Sequence, residues 1–249
     1  MSEKVALVTG AAAGIGAAIC RQLARDGIAV GVSDINLEDA KKVADSIVAE
    51  GGKAIALECN VADRENVKAA VNELRSAFGA ITILVNNAGI PGITPFEEIT
   101  DEMWDRQMEV NLKGVFIPTQ VVLPDMKAAK WGRIVNISSS GAQSGCPHMA
   151  HYTAAKGGVI SFTRTLALEL GPLGITVNNV PPASVMNTVM SEANKKKFPI
   201  HPDDLKKMLP VRRTGEPEDI ANAVSWLVKE ETGYVTGQTI GVNGGRVVS

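Results

Sequence analysis

Short apolar runs almost free of charge alternate with amphipathic stretches along nearly the whole chain, and no other feature restricts the fold so strongly. Val5–Val8 is apolar and leads into Thr9-Gly10 and a Gly/Ala-rich turn. From Gly16 to about Asp26 apolar residues fall at helical spacing, with Gly27 as a stop. Ile28–Val32, ending at Asp34, predicts a strand. So do Ala54–Leu57, Ile83–Val85, Arg133–Ile137, Ile175–Val180 and Thr239–Val242. Helices are expected over Leu37–Glu50, Arg64–Phe78, Asp101–Leu123, Tyr152–Leu170 and Pro217–Val228. Strands without charge are buried on both faces, so the pattern predicts an α/β fold, a parallel sheet with helices on either side.

The 249 residues are read as one unit, with no internal repeat or linker. A compact chain of this length buries roughly 70–75% of its unfolded surface, so it needs no disulfide or metal to supply a core. Cys20, Cys59 and Cys146 form no ligand pattern and read as inert thiols. A net charge of −2 argues against nucleic acid as a partner. Met1–Lys4 runs into Val5 without a secretory leader, and no apolar run is long enough for a membrane span. A cytoplasmic protein is expected. Residues 188–213 break the rhythm: polar, Lys-rich and interrupted by Pro199, Pro202 and Pro210, they read as an insertion that closes over substrate.

Gly10, Ala13, Gly14, Ile15 and Gly16 lie in the turn between the first strand and the first helix. Glycines there let backbone approach a pyrophosphate, and a helix N-terminus offers free N–H groups and a positive dipole end. No Walker lysine follows, which argues against a nucleoside triphosphatase. Asp34, at the end of the second strand, can accept from adenosine ribose hydroxyls and repel a 2′-phosphate, while Ala13, Ile35 and Asn36 supply no cation. The expected cofactor is NAD. The plainer reading makes Asp34 a cap for the following turn.

Tyr152 and Lys156 stand four apart at the start of a helix and share a face. A neighbouring cation favours phenolate, so Lys156 is expected to lower the tyrosine pKa. Ser139, thirteen residues upstream just past a strand, can hold a substrate oxygen against Tyr152.

These motifs resemble the short-chain dehydrogenase/reductase family: TGxxxGxG in Thr9–Gly16, NNAG in Asn86–Gly89, the family asparagine at Asn111, and YxxxK at Tyr152 and Lys156. The resemblance implies a doubly wound Rossmann-type sheet of about seven strands, a dinucleotide site at the strand carboxyl ends, and a homotetramer. It implies Tyr152 as acid/base, Ser139 as holder of the substrate oxygen, Lys156 binding the nicotinamide ribose, and Asn111 anchoring a water. It also assigns Asn60, Val61, Asn87, Ala88, Gly89, Tyr152, Lys156, Pro182, Val185 and Asn187 to the cofactor. Two departures stand out: Asn60 replaces the usual aspartate, and Pro181-Pro182-Ala183 replaces Pro-Gly, with alanine tolerating positive φ poorly.

His148 and Met149 are candidates for the substrate wall beside Ser139 and Tyr152. No zinc site is expected, because the histidines lack ligand spacing. Residues 194–197 could meet an anionic substrate or simply be solvated. The expected reaction interconverts a secondary alcohol and a ketone with NAD. The alternatives are a 3-oxoacyl-thioester reductase, for which Lys127, Lys130 and Arg133 could meet an acidic carrier, and a catalytically silent NAD-binding sensor.

Overall fold

The computed structural model describes residues 4–186, 188, 191 and 202–248. Six strands, β1 (Val5–Thr9), β2 (Ala29–Asp34), β3 (Ala54–Glu58), β4 (Ile83–Asn86), β5 (Gly132–Ile137) and β6 (Ile175–Val180), form one sheet in the order β3-β2-β1-β4-β5-β6. Every pairing is parallel. All residues of β1, β4, β5 and β6 are buried.

Helices explain that burial. On one face α1 (Gly14–Arg25), α2 (Leu37–Ala49) and an eleven-residue helix over Pro217–Leu227 bring Ile19, Leu23, Val43, Ile47, Ile220 and Val224 against Val8, Val30 and Val85. On the other, α3 (Arg64–Phe78), α5 (Gly114–Ala129) and α7 (Ala150–Leu170) bring Val67, Val71, Leu74, Ile117 and Ala167 against Leu7, Leu84, Ile134 and Val177. Fully burying one such side chain stabilises the fold by ~1.5–3 kcal/mol. Local signals set the helix starts. The Asn36 side chain accepts from Asp39 N, Asp63 accepts from Glu65 N and Asn66 N, and Glu216 and Asp219 form a capping box. Among the described residues no helix is long and apolar enough to cross a membrane.

Two expectations need correction. The sheet has six strands, not seven, because Thr239–Val242 meets β6 through a single parallel bridge, Asn179 to Thr239. Backbone bonds from Asn179 N to Gln238 O and from Ile240 N to Asn179 O flank this bridge, but β6 ends one residue later, at Val180, and Pro181-Pro182 have no N–H to extend the ladder. Nor is Asp101–Leu123 a uniform helix. It divides into α4 (Asp101–Met108), a π turn over Glu109–Lys113, and α5, which runs on to Ala129. Two further short helices are α6 (Gly141–Ser144) and α8 (Pro202–Lys207); the Pro217–Leu227 helix is α9. Beyond α8, Leu209 is buried, and Val211 N donates to Gly244 O, so this end of the 188–213 insertion is anchored on the C-terminal turn.

Candidate active site

The strand order reverses direction between β1 and β4, and the crevice at the carboxyl ends of these strands is where such sheets take ligands. Thr9 closes β1, and its Oγ1 accepts from Asn87 N and Ala88 N, each at 3.1 Å. The Asn87 amide returns the contact, Nδ2 donating to Thr9 O at 2.9 Å and Gly10 O at 2.8 Å. Gly10 has φ +63°, and a Cβ there would stand 2.7 Å from Ala88 Cα; at Gly16 it would stand 2.3 Å from Gly10 O. Both positions require glycine. Gly14, at φ +53°, faces the Thr188 side chain. Ala13 is extended immediately before α1, Ile15 packs on the core, and the helix start has no side-chain cap. This cradle, which side chains would fill, fits a pyrophosphate.

Asp34 fills the plainer of the two roles read from the sequence, bracing the turns on either side of it. Its Oδ2 accepts from Ala12 N in the phosphate turn at 3.1 Å, and its Oδ1 accepts from Asn36 N at 3.0 Å. Ile35 beside it is 66% exposed, a flat apolar surface at the crevice rim. Val61 is buried and packs on Gly114, which leaves its backbone for a ligand. Asn60, which the resemblance assigns to the cofactor, turns its Oδ1 inward, accepting from Ala62 N at 3.1 Å. In the loop after β6, Pro182 O accepts from Ser140 N at 3.0 Å and Val185 bridges Gly215. The left-handed residue of this loop is Ser184, at φ +51°, so the strain expected at Ala183 falls one residue later. Asn187, residues 194–197 and His201 lie outside the described residues.

The reacting groups converge at the ends of β5 and α7. Tyr152 is buried and its hydroxyl is hydrogen-bonded to Ser139. Ser139 Oγ also accepts from Gly141 N at 3.1 Å, which fixes its rotamer. Lys156 is buried, and its Nζ donates to Ile137 O at 3.0 Å. Burial pulls the Lys156 ammonium down to about 8. Burial pushes the Tyr152 phenol up, the Ser139 hydrogen bond opposes it, and the Cys146 thiol adds to the rise. This departs from the expectation that Lys156 lowers the tyrosine: the opposing pull comes from Ser139. Asn111 is fully buried in the π turn, where π geometry is often found at functional sites. Its Nδ2 donates to Ile90 O and its Oδ1 accepts from Ile90 N, both at 3.1 Å. The side chain therefore clamps the backbone of Ile90. A Cβ at Gly89 would meet Asn111 Oδ1 at 2.6 Å and Lys156 Nζ at 3.3 Å, so these groups crowd one point beside the crevice.

His148 and Met149 lie just before α7. His148 is exposed at φ +61°, and its carbonyl accepts from Thr94 N at 2.7 Å, tying the 90–95 loop to the loop before Tyr152. Met149 is half-buried. Sequence reasoning missed that Cys146 lies beside the site: half-buried, with its Cβ near Gly141, it adds to the upward push on the Tyr152 phenol. It also missed Gln107, buried four residues before Asn111. Its i−4 spacing from Asn111, which puts the two on one helix face, was the available signal.

A glycine cradle at the switch point of a doubly wound sheet, opening onto a buried Tyr-Lys pair with serine, defines a nicotinamide-dependent oxidoreductase. The comparisons agree. Residues 10–246 match the family model described as enoyl-(acyl carrier protein) reductase. Cyclohexanol dehydrogenase from Acinetobacter sp. is 41% identical over 98% of this chain and 94% of its own length. The 3-oxoacyl-[acyl-carrier-protein] reductase FabG from Staphylococcus epidermidis is also 41% identical, over 98% of each chain. A crystal structure of a variant actinorhodin polyketide ketoreductase with NADPH superposes with a TM-score of 0.93 at 35% identity, covering 99% of both chains. The chain belongs to the short-chain dehydrogenase/reductase family.

Proposed function

We propose that this enzyme interconverts a small or cyclic secondary alcohol and its ketone with NAD, Tyr152 acting as acid/base. The observation that carries the reading is the hydrogen bond between Ser139, just past the end of β5, and Tyr152, which shares its helix start with buried Lys156. When bound, the dinucleotide supplies or accepts the hydride. In reduction, Ser139 donates to the carbonyl oxygen and Tyr152 delivers the proton that turns it into a hydroxyl; oxidation reverses both steps. Burial keeps the phenol protonated, suiting it to the acid role. Lys156, cationic below about pH 8, offers its remaining N–H groups to ribose hydroxyls and restores the Tyr152 proton. Gly10, Ala13, Gly14, Ile15 and Gly16 would hold the pyrophosphate, Asn87–Gly89 and Asp34 the adenosine side, and Pro182 and Val185 the nicotinamide side. His148 and Met149 would face the substrate.

Asp34 supports NAD over NADP. Its carboxylate lies at the rim, and among the described residues it has no salt bridge that would neutralise it against a 2′-phosphate. Cyclohexanol dehydrogenase is a relative whose name carries a cyclic secondary alcohol, which fits this reading. The acyl-thioester alternative has FabG behind it, yet loses one of its cations here. Arg133 is buried, donates to the Lys229 and Gly132 carbonyls and stacks 4.4 Å from the Trp131 ring. Lys127 and Lys130 lead into the start of β5, the sheet edge opposite the crevice. Self-association, as a homotetramer, belongs to the same proposal. The exposed faces of Met103, Trp104 and Phe116 on α4 and α5 are available to a second copy, and light scattering on the purified protein reads the mass. Free thiols at Cys20, Cys59 and Cys146 fit a reducing, cytoplasmic location.

The deciding assay follows NADH and NADPH oxidation with cyclohexanone and with acetoacetyl-CoA, for wild type and Tyr152→Phe. Turnover of cyclohexanone with NADH, lost in the variant, is expected. Preference for NADPH with acetoacetyl-CoA would transfer the enzyme to the thioester class. Equal inertness of both proteins while both bind NADH would make it a sensor.

A further inference from the structure

We propose that Gln107 is a positioning residue for this reaction, acting through Asn111. The inference rests on the catalytic reading above. Gln107 is 3% exposed near the end of α4, a helix whose other residues are exposed or half-buried, and its amide is bonded at both ends. Its Oε1 accepts from Asn111 Nδ2, and its Nε2 donates to Pro91 O at 2.8 Å. Asn111 in turn clamps Ile90 through both backbone groups. Two side-chain amides thus hold consecutive residues of the segment after β4 from one side. The far end of this clamp is catalytic ground, because Asn111 Oδ1 and Lys156 Nζ crowd the same point beside Gly89. At the near end there is no slack: a Cβ at Gly92 would stand 2.7 Å from Gln107 Nε2 and 3.0 Å from the His151 ring. The amide orientation is fixed by the pairing itself, since only oxygen toward Asn111 and nitrogen toward Pro91 satisfies both bonds.

An amide that only filled space would be expendable to a side chain of equal volume. Gln107 instead orients the Asn111 amide, and through it the backbone that borders Lys156. A misplacement of reacting groups by an ångström costs up to about a hundredfold, and a partial shift of the kind expected here roughly tenfold.

The test measures steady-state cyclohexanone reduction and NADH affinity in Gln107→Leu and in Gln107→Met, which occupies similar space with neither hydrogen bond. Each is expected to lower kcat roughly tenfold while the NADH Kd stays within about twofold. Running both keeps a result if one fails to fold. Each change is then repeated in Asn111→Ala, where it is expected to cost less than about twofold, since residues acting as a unit are non-additive. An unchanged kcat in the single variants, or a full further loss in the double ones, overturns the proposal. Wild type that turns over and loses activity in Tyr152→Phe keeps the catalytic reading intact even then.

Discussion

Lys156 Nζ donates to the Ile137 carbonyl at 3.0 Å, a bond that joins the catalytic helix to the end of β5 beneath Ser139. A buried ammonium is costly, and its pKa, pulled to about 8 by burial, records that cost. The folded chain binds this proton less tightly than the unfolded chain, whose lysine titrates near 10.5. Stability is therefore held down below about pH 8, rises between 8 and 10.5, and is fully restored above. Lys156→Met is expected to raise unfolding stability by ~1–2 kcal/mol near neutral pH, after the lost Ile137 bond is subtracted, and to abolish turnover. Denaturant unfolding at pH 7 and pH 10 checks it. The gain must shrink at the higher pH, and a variant equally destabilised at both would show that the charge costs nothing.

The same titration shapes the rate. Tyr152, held above its ordinary value by burial, stays protonated through the alkaline range, so the group that fails first as pH rises is Lys156. Reductive kcat/KM is expected to fall above about pH 8. In Lys156→Arg, whose guanidinium keeps its charge, residual activity is expected to lose that alkaline limb. A pH profile with the limb unmoved in the arginine variant assigns it to another group.

Much of this arrangement was legible before any coordinates. Arg64–Phe78 and Ile175–Val180 carry strong apolar periodicity and clean stops, and form as expected. Ser139, Tyr152 and Lys156 come together because a strand end and a helix start, each readable, are joined by a connection that holds only the short helix α6. What resisted reading depends on pairings across the chain. The π turn holding Asn111 adds one residue to a helix without a local signal. The last strand shrinks to one bridge because its register sets Thr239 against Asn179, one residue before β6 gives way to Pro181-Pro182. Ser184 takes the left-handed turn expected at Ala183, a choice set by the Pro182–Ser140 and Val185–Gly215 contacts on either side. Gln107 reads as another polar residue of an exposed helix until Asn111 and Pro91 are placed beside it.

Beneath the site, Asn86 Nδ2 donates to Thr119 Oγ1 and Asn136 Oδ1, and Asn136 Nδ2 donates to Thr163 Oγ1, a fully buried relay that joins α5 and α7 through two strands. Asn136→Leu breaks the middle of it and leaves polar partners without water. A loss of ~1–3 kcal/mol is expected. None of these groups touches the crevice, so kcat at temperatures where the variant is folded should hardly change. Thermal unfolding beside steady-state kinetics separates the two effects, and a large kcat loss in a stably folded variant would mean that the relay reaches the reacting groups.

Two glycines with similar backbone angles offer an internal comparison. Gly10 (φ +63°) lies in the phosphate turn with Ala88 Cα 2.7 Å from a would-be Cβ, whereas Gly27 (φ +81°) has nothing within 4 Å. Gly27→Ala carries strain alone and is expected to cost about 1 kcal/mol. Gly10→Ala adds a backbone clash and is expected to cost ~2–3 kcal/mol and to reduce NADH binding as well. Unfolding curves with and without NADH check both; the stabilisation by NADH should survive in the first variant and shrink in the second.

The proposed NAD preference gives Asp34 a second load beside its brace of the turn, so its removal should split into two readouts. The carboxylate faces the rim where a 2′-phosphate would sit, and like charges brought together cost several kcal/mol. Asp34→Ser is accordingly expected to improve kcat/KM for NADPH relative to NADH by roughly tenfold or more. The same oxygens brace Ala12 N and Asn36 N, and the shorter hydroxyl reaches at most one of them. The absolute kcat/KM with NADH should therefore fall together with the discrimination, and adding Ile35→Arg should recover NADPH turnover without recovering NADH turnover. An unchanged NADH-to-NADPH ratio in Asp34→Ser would leave the carboxylate as a brace of the turn and remove its role in choosing the cofactor.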